Sequence, residues 1–326
     1  MKLGLCVIGC GAFARTFARG LAPLRGDIDL FFASRDLDRA RAYCREFGGL
    51  GAYGAYQEAA ADPRVDALYV CTPHHLHLEH AALATRRGKH VLVEKPLARN
   101  LEEAGQIITA ARHAGVTLMV AENLRFMAAV RRCKELADSG ALGDLRLVQV
   151  QEEAHFCPGH WRSDRKINGG GVFIDGGIHK VHFLRYLLGE PEHIYAAALP
   201  PALPGHGGED GLVMVARWSS GAVGLINHSW VASHRATPRW ISVSGTEGRI
   251  YFEVGGSGLS LEQGGSRCTL SFPPDHSGIT LMVREFRDSI LEGREPETSG
   301  EEGRRDLALV LKAYESIEKG RSLDLA

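Results

Sequence analysis

Apolar and polar positions follow two alternating periods in the first third of the chain. Residues 3–8, LGLCVI, form a short apolar run that ends at Gly9, a pattern typical of a buried parallel strand. Apolar residues then recur at helical spacing at Phe13, Phe17, Leu21 and Leu24. Further strand patterns cover residues 28–34, 65–71, 90–95 and 116–122, and helical patterns cover residues 36–47, 75–87 and 101–113. Repeated units of this kind predict a doubly wound parallel sheet with helices on both faces.

The pattern changes near Glu122. A predicted helix (128–139) and a predicted strand (145–153) lead into a loop with three consecutive glycines, and several strands at hairpin-like spacing follow. Two predicted helices, around 279–292 and 303–319, close the chain. We therefore predict an α/β first domain of residues 1–122 and a second, α+β domain of residues 123–326 with a largely antiparallel open sheet. The length of 326 residues fits two domains of roughly 150 residues each.

Charge and cysteine content argue against several classes of protein. The 38 Lys and Arg residues nearly balance the 39 Asp and Glu residues, whereas a dedicated nucleic-acid binder would show a basic excess. No apolar run reaches about 18 residues, so no membrane span is predicted. The seven cysteines are scattered without a CxxC pair, which argues against a disulfide framework or a structural zinc site. We expect reduced thiols in a cytoplasmic protein that binds neither nucleic acid nor membrane.

The fragment CVIGCGAFA, residues 6–14, allows three interpretations. Cys6 and Cys10 could form a redox or metal pair, VIGC could be a lipoprotein cleavage site, and the glycines could form a phosphate site. Export is disfavoured because only seven residues separate Lys2 from Cys10 and a helical pattern follows directly. The preceding strand and the following helix favour the phosphate site.

In that context the fragment matches G-x-G-x-x-G/A, the dinucleotide-binding turn of a Rossmann fold. Gly9 permits the tight turn, Gly11 lets the backbone approach a pyrophosphate, and Ala14 keeps the helix close to the sheet. Ala12 and Phe13 complete the turn, and the helix start supplies an anion site. We therefore predict that residues 1–122 are a dinucleotide-binding domain.

The end of the second predicted strand bears on the choice of dinucleotide. An NAD site usually has Asp or Glu there to bind the ribose 2′-hydroxyl, but this chain has Ser34 and Arg35. A guanidinium suits a 2′-phosphate, so the sequence favours NADP, with NAD as the alternative. The other interpretation is a solvated arginine beside a helix start.

Two further stretches follow predicted strands of the first domain. CTPHHLHLEH (71–80) is rich in histidine, but no carboxylate cluster accompanies it, so we expect His77 to shape the turn rather than to bind metal. In VEKPL (93–97), Pro96 restricts the backbone at Lys95 and directs the side chain. A partly desolvated lysine there could donate a proton to a substrate oxygen.

The glycine-rich stretch GGGVFIDGGIHKVHFL (169–184) is the candidate site of the second domain. If a helix begins near Asp175, then Asp175 and His179 share one helical face. A histidine beside a carboxylate is a plausible general base for a hydroxyl proton. His179 and His182 could instead bind metal, but the stretch has one carboxylate and lacks the spacing of a ligand triad, so no metal is predicted.

Five motifs, in order GCGAFA, TPHHLH, EKPLARNLEEA, ENLRF and GGGVFIDGGIH, resemble the glucose-fructose oxidoreductase / inositol dehydrogenase / rhizopine catabolism (Gfo/Idh/MocA) family over nearly the whole chain. The resemblance implies that Lys95 lies beside the nicotinamide and that the Lys95–Pro96 bond is cis. It implies that His179 is the acid/base and that Asp175 orients the substrate or the histidine. Many members have Asp three residues after that histidine, where this chain has His182.

The resemblance also implies the remaining contacts. The cofactor-binding residues outside the glycine turn and the Ser34–Arg35 pair are Thr72, Pro73, His77, Glu94, Lys95, Pro96 and Asn123. The substrate-binding residues are Lys95, Trp161, Arg162, Asp175 and His179. Subunits of the family usually pair through the open face of the second-domain sheet, which implies a homodimer or a homotetramer.

The activity implied is reversible, NADP- or NAD-dependent oxidation of a secondary hydroxyl group of a sugar, an inositol or a related polyol. Lys95 would polarise the oxygen while His179 takes the proton. The resemblance includes two other classes, namely cofactor-dependent glycosidases that act through transient oxidation, and a non-catalytic regulator that senses dinucleotide. Retention of both Lys95 and His179 weighs against the sensor.

Overall fold

The computed structural model of the chain describes residues 2–156, 159–231, 239–273 and 277–325, so Cys157 lies outside the described residues. The chain divides into two compact units. The first consists of Met1–Asn123 and Ile279–Arg305, and the second of Leu124–Gly278 and Asp306–Ala326.

The first unit contains a six-stranded parallel sheet with strand order β3-β2-β1-β4-β5-β6, which confirms the predicted doubly wound fold. Its strands are β1 (Leu3–Ile8), β2 (Ile28–Ala33), β3 (Gly51–Tyr53), β4 (Ala67–Val70), β5 (His90–Val93) and β6 (Leu118–Val120). Its helices in the first segment are α1 (Ala12–Gly20), α2 (Leu37–Phe47), α3 (Tyr56–Ala61), α4 (His77–Arg86) and α5 (Leu101–Ala114). The strand order reverses beside β1, and ligands of such sheets bind outside the carboxyl ends of the strands at that point.

Residues 279–305, which the sequence prediction places in the second domain, belong to the first unit. They comprise α9 (Ile279–Glu292) and the start of α10 (Gly300–Lys319). The Ile279 side chain packs so tightly on Gly20 that a Cβ there would lie 2.8 Å from it. The amide of Val120 in β6 donates to the carbonyl of Thr298 over 2.7 Å. These contacts extend the first unit beyond its parallel sheet.

The second unit contains a nine-stranded sheet in which the described pairs are antiparallel, apart from the parallel pair β7–β10, as the predicted α+β architecture requires. The strand order is β14-β13-β12-β11-β7-β10-β9-β8-β15. Its strands are β7 (Leu145–Glu153), β8 (His193–Ala198), β9 (Gly211–Arg217), β10 (Val223–Ser229), β11 (Trp240–Gly245), β12 (Gly248–Glu253), β13 (Gly258–Gln263), β14 (Ser266–Ser271) and β15 (Leu323–Asp324).

The helices of the second unit are α6 (Ala128–Asp138), α7 (Arg165–Asn168), α8 (Ile178–Leu188) and the last part of α10. Helix α8 contacts β10 and helix α6 contacts β13, and the Ser316 hydroxyl oxygen of α10 accepts from the amide of Ala196 in β8 at 3.0 Å. Burial alternates along β7, where Val148, Val150 and Glu152 are buried and their neighbours are partly exposed. Gly224 of β10 lets Leu184 of α8 approach the strand, since a Cβ there would lie 2.9 Å from that side chain. Among the described helices, none is both long and apolar enough to cross a bilayer.

Candidate functional site

The glycine turn after β1 has the geometry of an anion-binding helix start. Gly9 has φ +96°, and a Cβ there would lie 2.5 Å from the carbonyl oxygen of Cys71, so the turn requires glycine. At Gly11 a Cβ would meet no atom within 4 Å, so this position opens into free space. Helix α1 begins at Ala12 without a side-chain cap and without an acidic residue in its first turn. Because no side chain caps this start, N–H groups of the first turn could serve as partners for a pyrophosphate.

At the end of β2, Ser34 and Asp36 are engaged locally. The Oγ atom of buried Ser34 accepts from the amide of Asp36 at 3.2 Å, and the Asp36 carboxylate caps α2 by accepting from the amide of Arg39 at 3.1 Å. Arg35 is exposed. Burial is the main cause that lowers the pKa of His80, and the Arg35 guanidinium lowers it further. Arg35 is thus the cationic side chain that this strand end presents.

His77 joins the turn after β4 to the turn after β5. Its Nδ1 and Nε2 atoms lie 2.9 Å and 3.0 Å from the carbonyl oxygens of Pro96 and Thr72. Burial lowers the pKa of His77 to about 4, so the ring is neutral at pH 7 and donates to one of the two carbonyls. His80 lies 2.9 Å from the Thr72 hydroxyl. Because backbone and hydroxyl groups occupy these ring nitrogens, the histidine-rich stretch shapes the turns, and no metal-ligand group of three is found among the described residues.

The EKP turn follows β5. The Lys95–Pro96 peptide bond is cis, which confirms the prediction. Lys95 is partly exposed, whereas Glu94 is buried and accepts a hydrogen bond from the hydroxyl group of Tyr69. Asn123 begins a short 3₁₀ turn, Asn123–Phe126, after β6. The predicted cofactor residues of this unit therefore all follow the carboxyl ends of its strands, along one edge of the sheet.

In the second unit, Asp175 lies in a π-helical turn, Phe173–Gly177, that continues into α8. The helix therefore starts slightly earlier than the predicted start at Asp175. Buried Asp175 accepts from Nε of Arg162 at 2.8 Å, and the Arg162 guanidinium lies over the ring of Trp161 at 4.4 Å from its centre. His179, which is partly exposed, follows Asp175 by four residues on the same helix. The structure thus joins Trp161, Arg162 and Asp175 in one contact chain.

His182 has surroundings different from those of His179. Its side chain is 1% exposed, and its Nδ1 atom lies 2.8 Å from Oδ2 of Asp306 in α10. Asp306 also accepts from Arg185. His182 is therefore part of a buried hydrogen-bonded network with Asp306 and Arg185.

Sequence reasoning missed a second buried cluster behind this helix. Lys180 pairs with Glu152 and donates to the carbonyl of Gly176 at 2.8 Å. Burial raises the pKa of Glu152, but Lys180, His228 and Arg239 outweigh it and lower the pKa to about 2. Burial, assisted by Lys180, lowers the pKa of His228 to about 3. The signal in the sequence is the charged residue Glu152 at an inward position of β7, after Val148 and Val150.

The fold and the glycine turn define a Rossmann-type domain, and comparison with known proteins gives the family. Residues 3–122 match the model of the oxidoreductase family with an NAD-binding Rossmann fold, and residues 130–251 match the GFO/IDH/MocA C-terminal domain. The chain belongs to the Gfo/Idh/MocA family, as the resemblance implied, and is an NAD(P)-dependent oxidoreductase.

Named relatives extend over the full chain. Myo-inositol 2-dehydrogenase of Thermotoga maritima is 32% identical and covers 100% of this chain and 98% of its own length. 1,5-anhydro-D-fructose reductase of Ensifer adhaerens is 31% identical, with 98% and 97% coverage. The crystal structure of aldose-aldose oxidoreductase from Caulobacter crescentus, complexed with glycerol, has a TM-score of 0.92, 27% identity and complete coverage of both chains. The names of these relatives favour neither a cofactor-dependent glycosidase nor a non-catalytic regulator that senses dinucleotide.

Proposed function

We propose that the chain transfers a hydride reversibly between a secondary hydroxyl group of a sugar, an inositol or a related polyol and a nicotinamide dinucleotide. The observation that carries this proposal is the placement of Asp175 and His179 on one helix, with Asp175 paired to Arg162. The chain belongs to a family of oxidoreductases. The named relatives act on sugars and inositol, which supports the same class of substrate here.

A dinucleotide fits the residues of the first unit. The free space at Gly11 and the uncapped start of α1 suit a pyrophosphate, and when bound the nicotinamide supplies the hydride acceptor. NADP is proposed as the preferred form, because Arg35 is exposed and cationic while the Asp36 carboxylate is occupied in capping α2. Thr72, Pro73, Lys95 and Asn123 are proposed as further contacts, with the buried His77 holding the turns in place.

The proposed chemistry assigns one task to each side chain. Lys95 donates to the substrate oxygen and polarises it, and His179 takes the hydroxyl proton. Asp175, with its charge balanced by Arg162, orients the substrate or His179. Trp161 supplies an aromatic face for the carbon skeleton of the substrate. In this proposal residues 1–122 bind the dinucleotide, and the second unit binds the substrate and forms the subunit interface.

Homodimers or homotetramers through the second-unit sheet are part of the proposal. The face of β7, β9 and β10 opposite the buried side chains carries partly exposed apolar residues, among them Leu147, Val213, Val215 and Leu225. A face of this composition suits contact with a second copy of the sheet. The six described cysteines form no disulfide bond with one another, and a cytoplasmic location, where thiols stay reduced, is part of the proposal.

The test is a panel of polyols and aldoses, including myo-inositol, sorbitol, D-glucose and D-xylose, each with NAD and NADP, followed by the absorbance of the reduced cofactor. His179→Ala should lower kcat by about 10²–10⁴-fold, because it removes the acid/base. The Kd of NADPH, measured by fluorescence, should stay unchanged. His193→Ala, a change at a half-exposed histidine of β8, is the matched control and should leave turnover intact.

Two results would contradict the proposal. Normal turnover by His179→Ala would remove His179 from the chemistry. Release of an aglycone from a glycoside, without net change in cofactor absorbance, would instead identify an oxidative glycosidase.

A further inference from the structure

Four successive backbone amides precede Asp175, and each one has an acceptor from a distant part of the chain. The amides of Gly171 and Ile174 donate to the hydroxyl oxygen of Tyr314 at 3.2 Å and 3.1 Å. The amide of Val172 donates to the carbonyl oxygen of Glu209 at 2.9 Å. The amide of Phe173 donates to Oε1 of Glu209 at 2.8 Å.

A helix leaves its first four N–H groups without partners inside the helix. Two residues accept from the four amides of residues 171–174, which include the first two amides of the π turn that runs into α8. Tyr314 lies in α10, and Glu209 lies just before β9. The Tyr314 hydroxyl also donates to Oε1 of Glu209 at 3.0 Å, so both residues form one hydrogen-bonded unit. We call this unit the Glu209–Tyr314 cap.

The consecutive glycines before the helix make room for the cap. A Cβ at Gly170 would lie 2.5 Å from the Tyr314 hydroxyl oxygen, and a Cβ at Gly171 would lie 2.1 Å from the Glu209 carbonyl oxygen. A Cβ at Gly208 would lie 2.4 Å from the Cα atom of Gly171. Any side chain at these positions would push the cap away from the amides.

Opposing effects act on the charge of the Glu209 carboxyl group. A carboxylate at a helix start interacts favourably with the helix dipole. Other groups near Glu209 are the Arg165 guanidinium, which lowers the pKa of the carboxyl, and His206, whose Nε2 lies 3.2 Å from the Glu209 carbonyl oxygen. Burial outweighs the hydrogen bonds and raises the pKa of Glu209 to about 7.

We infer that Glu209 and Tyr314 are positioning residues of the reaction, because they hold the backbone from which Asp175 and His179 project. The inference rests on the proposed function for its catalytic part. Asp175 follows the last capped amide directly, and His179 lies one helical turn further on. A displacement of about 1 Å in a reacting group can lower a rate by about 10²-fold. Loss of the cap should therefore lower kcat without removing any group that touches the substrate.

The variant Tyr314→Phe removes only the hydroxyl group. Hydrogen–deuterium exchange should become at least 10-fold faster in the peptide that covers residues 169–180. With the substrates of the panel and NADP, kcat should fall about 10- to 100-fold, whereas the Kd of NADPH should change less than twofold. Glu209→Gln, which retains an acceptor oxygen but no charge, should give a smaller change of the same kind.

Tyr53→Phe is the matched control. The Tyr53 hydroxyl donates to a carboxylate oxygen of Asp62 at 2.7 Å, so this variant also removes a tyrosine–carboxylate hydrogen bond, but it should leave kcat and exchange in residues 169–180 unchanged. Unchanged exchange in a folded Tyr314→Phe would overturn the cap. If exchange rises while kcat holds, the positioning role is overturned. If the wild-type protein oxidises no polyol or aldose, the proposed function fails, and the exchange measurement still decides the cap.

Discussion

Two helix starts in this chain look alike in sequence and differ in the partners of their amides. GCGAFA leads into α1 and GGGVFIDGG leads into α8, and each places glycines before a helix. The start of α1 has no side-chain cap, and a Cβ at Gly11 would point into free space. At the second start, the four amides of residues 171–174 all donate to Glu209 or Tyr314.

The difference shows that glycine-rich helix starts have two uses. Helix N–H groups need acceptors, and a bound anion or the protein itself can supply them. At α1 no side chain caps the start, and we propose that a dinucleotide pyrophosphate supplies the acceptor. At α8 the Tyr314 hydroxyl oxygen and the carbonyl and carboxyl oxygens of Glu209 are the acceptors, so the glycines serve close packing. The partners of the amides, rather than the glycines, distinguish the two uses.

The largest expected effect comes from adding a side-chain cap at the start of α1, which has none. Gly11→Asp places a carboxylate at the N-cap of α1, where φ −97° and the free space around Cβ accept a side chain. A new N-cap should leave the free energy of unfolding equal or raise it by about a few tenths of a kcal/mol, because glycine is itself tolerated at an N-cap. The carboxylate should raise the Kd of NADPH about 100-fold or more, because like charges about 4 Å apart repel by about 4 kcal/mol near a protein surface.

Gly11→Asn is the control for that variant, since it has the same size and capping capacity without the charge. Urea unfolding and NADPH fluorescence titration give the two quantities. Equal Kd values for the Asp and Asn variants would show that no anion binds at this helix start.

The second prediction concerns Arg35, the exposed cationic residue at the end of β2. Arg35→Ala should raise the KM of NADP far more than the KM of NAD. The difference between the two effects should correspond to about 1.5–3 kcal/mol, the strength of a charge-assisted hydrogen bond. Arg39→Ala, at an exposed arginine in the first turn of α2, is the comparison variant. Equal effects of Arg35→Ala on the two cofactors would leave the NADP preference without support.

Sequence periodicity was sufficient for the parts of the fold that depend on neighbours along the chain. The strand–glycine–helix order around Gly9 and the shared helix of Asp175 and His179 both follow from local spacing, and both are present. The second sheet followed from strand patterns at hairpin-like spacing.

Local sequence patterns did not predict contacts between residues that are far apart in the sequence. Tyr314 reaches an amide 140 residues away, and His182 meets Asp306 across 124 residues. The packing of residues 279–305 with the first unit is of the same kind. Hydrophobic periodicity identifies which face of a helix is buried, but it does not identify the element against which that face packs.

The third prediction compares the glycines themselves. Gly171→Ala should lower the free energy of unfolding by about 1–3 kcal/mol, because the new Cβ would overlap the carbonyl oxygen and Oε2 of Glu209. Gly11→Ala, where the Cβ meets nothing, should change stability by less than about 1 kcal/mol. Urea unfolding of the two variants without cofactor gives the comparison. Equal losses of stability would show that the close approach of Glu209 does not constrain Gly171.

The smallest expected effect is the pH dependence of the unfolding free energy that results from Glu209 at the capped helix start before α8. Burial raises the pKa of Glu209 to about 7 in the folded chain, above its value in the unfolded chain. The folded state therefore binds the proton more tightly, and the stability that this group contributes is present at low pH and is lost as pH rises through 7. From pH 6 to pH 8 the wild-type protein should lose about 1 kcal/mol of unfolding free energy relative to Glu209→Gln, which cannot ionise. Urea unfolding of both proteins at the two pH values measures the difference. A relative gain in wild-type stability on going to pH 8 would mean that the hydrogen bonds from Phe173 and Tyr314 outweigh burial and hold the Glu209 carboxyl group in its charged form.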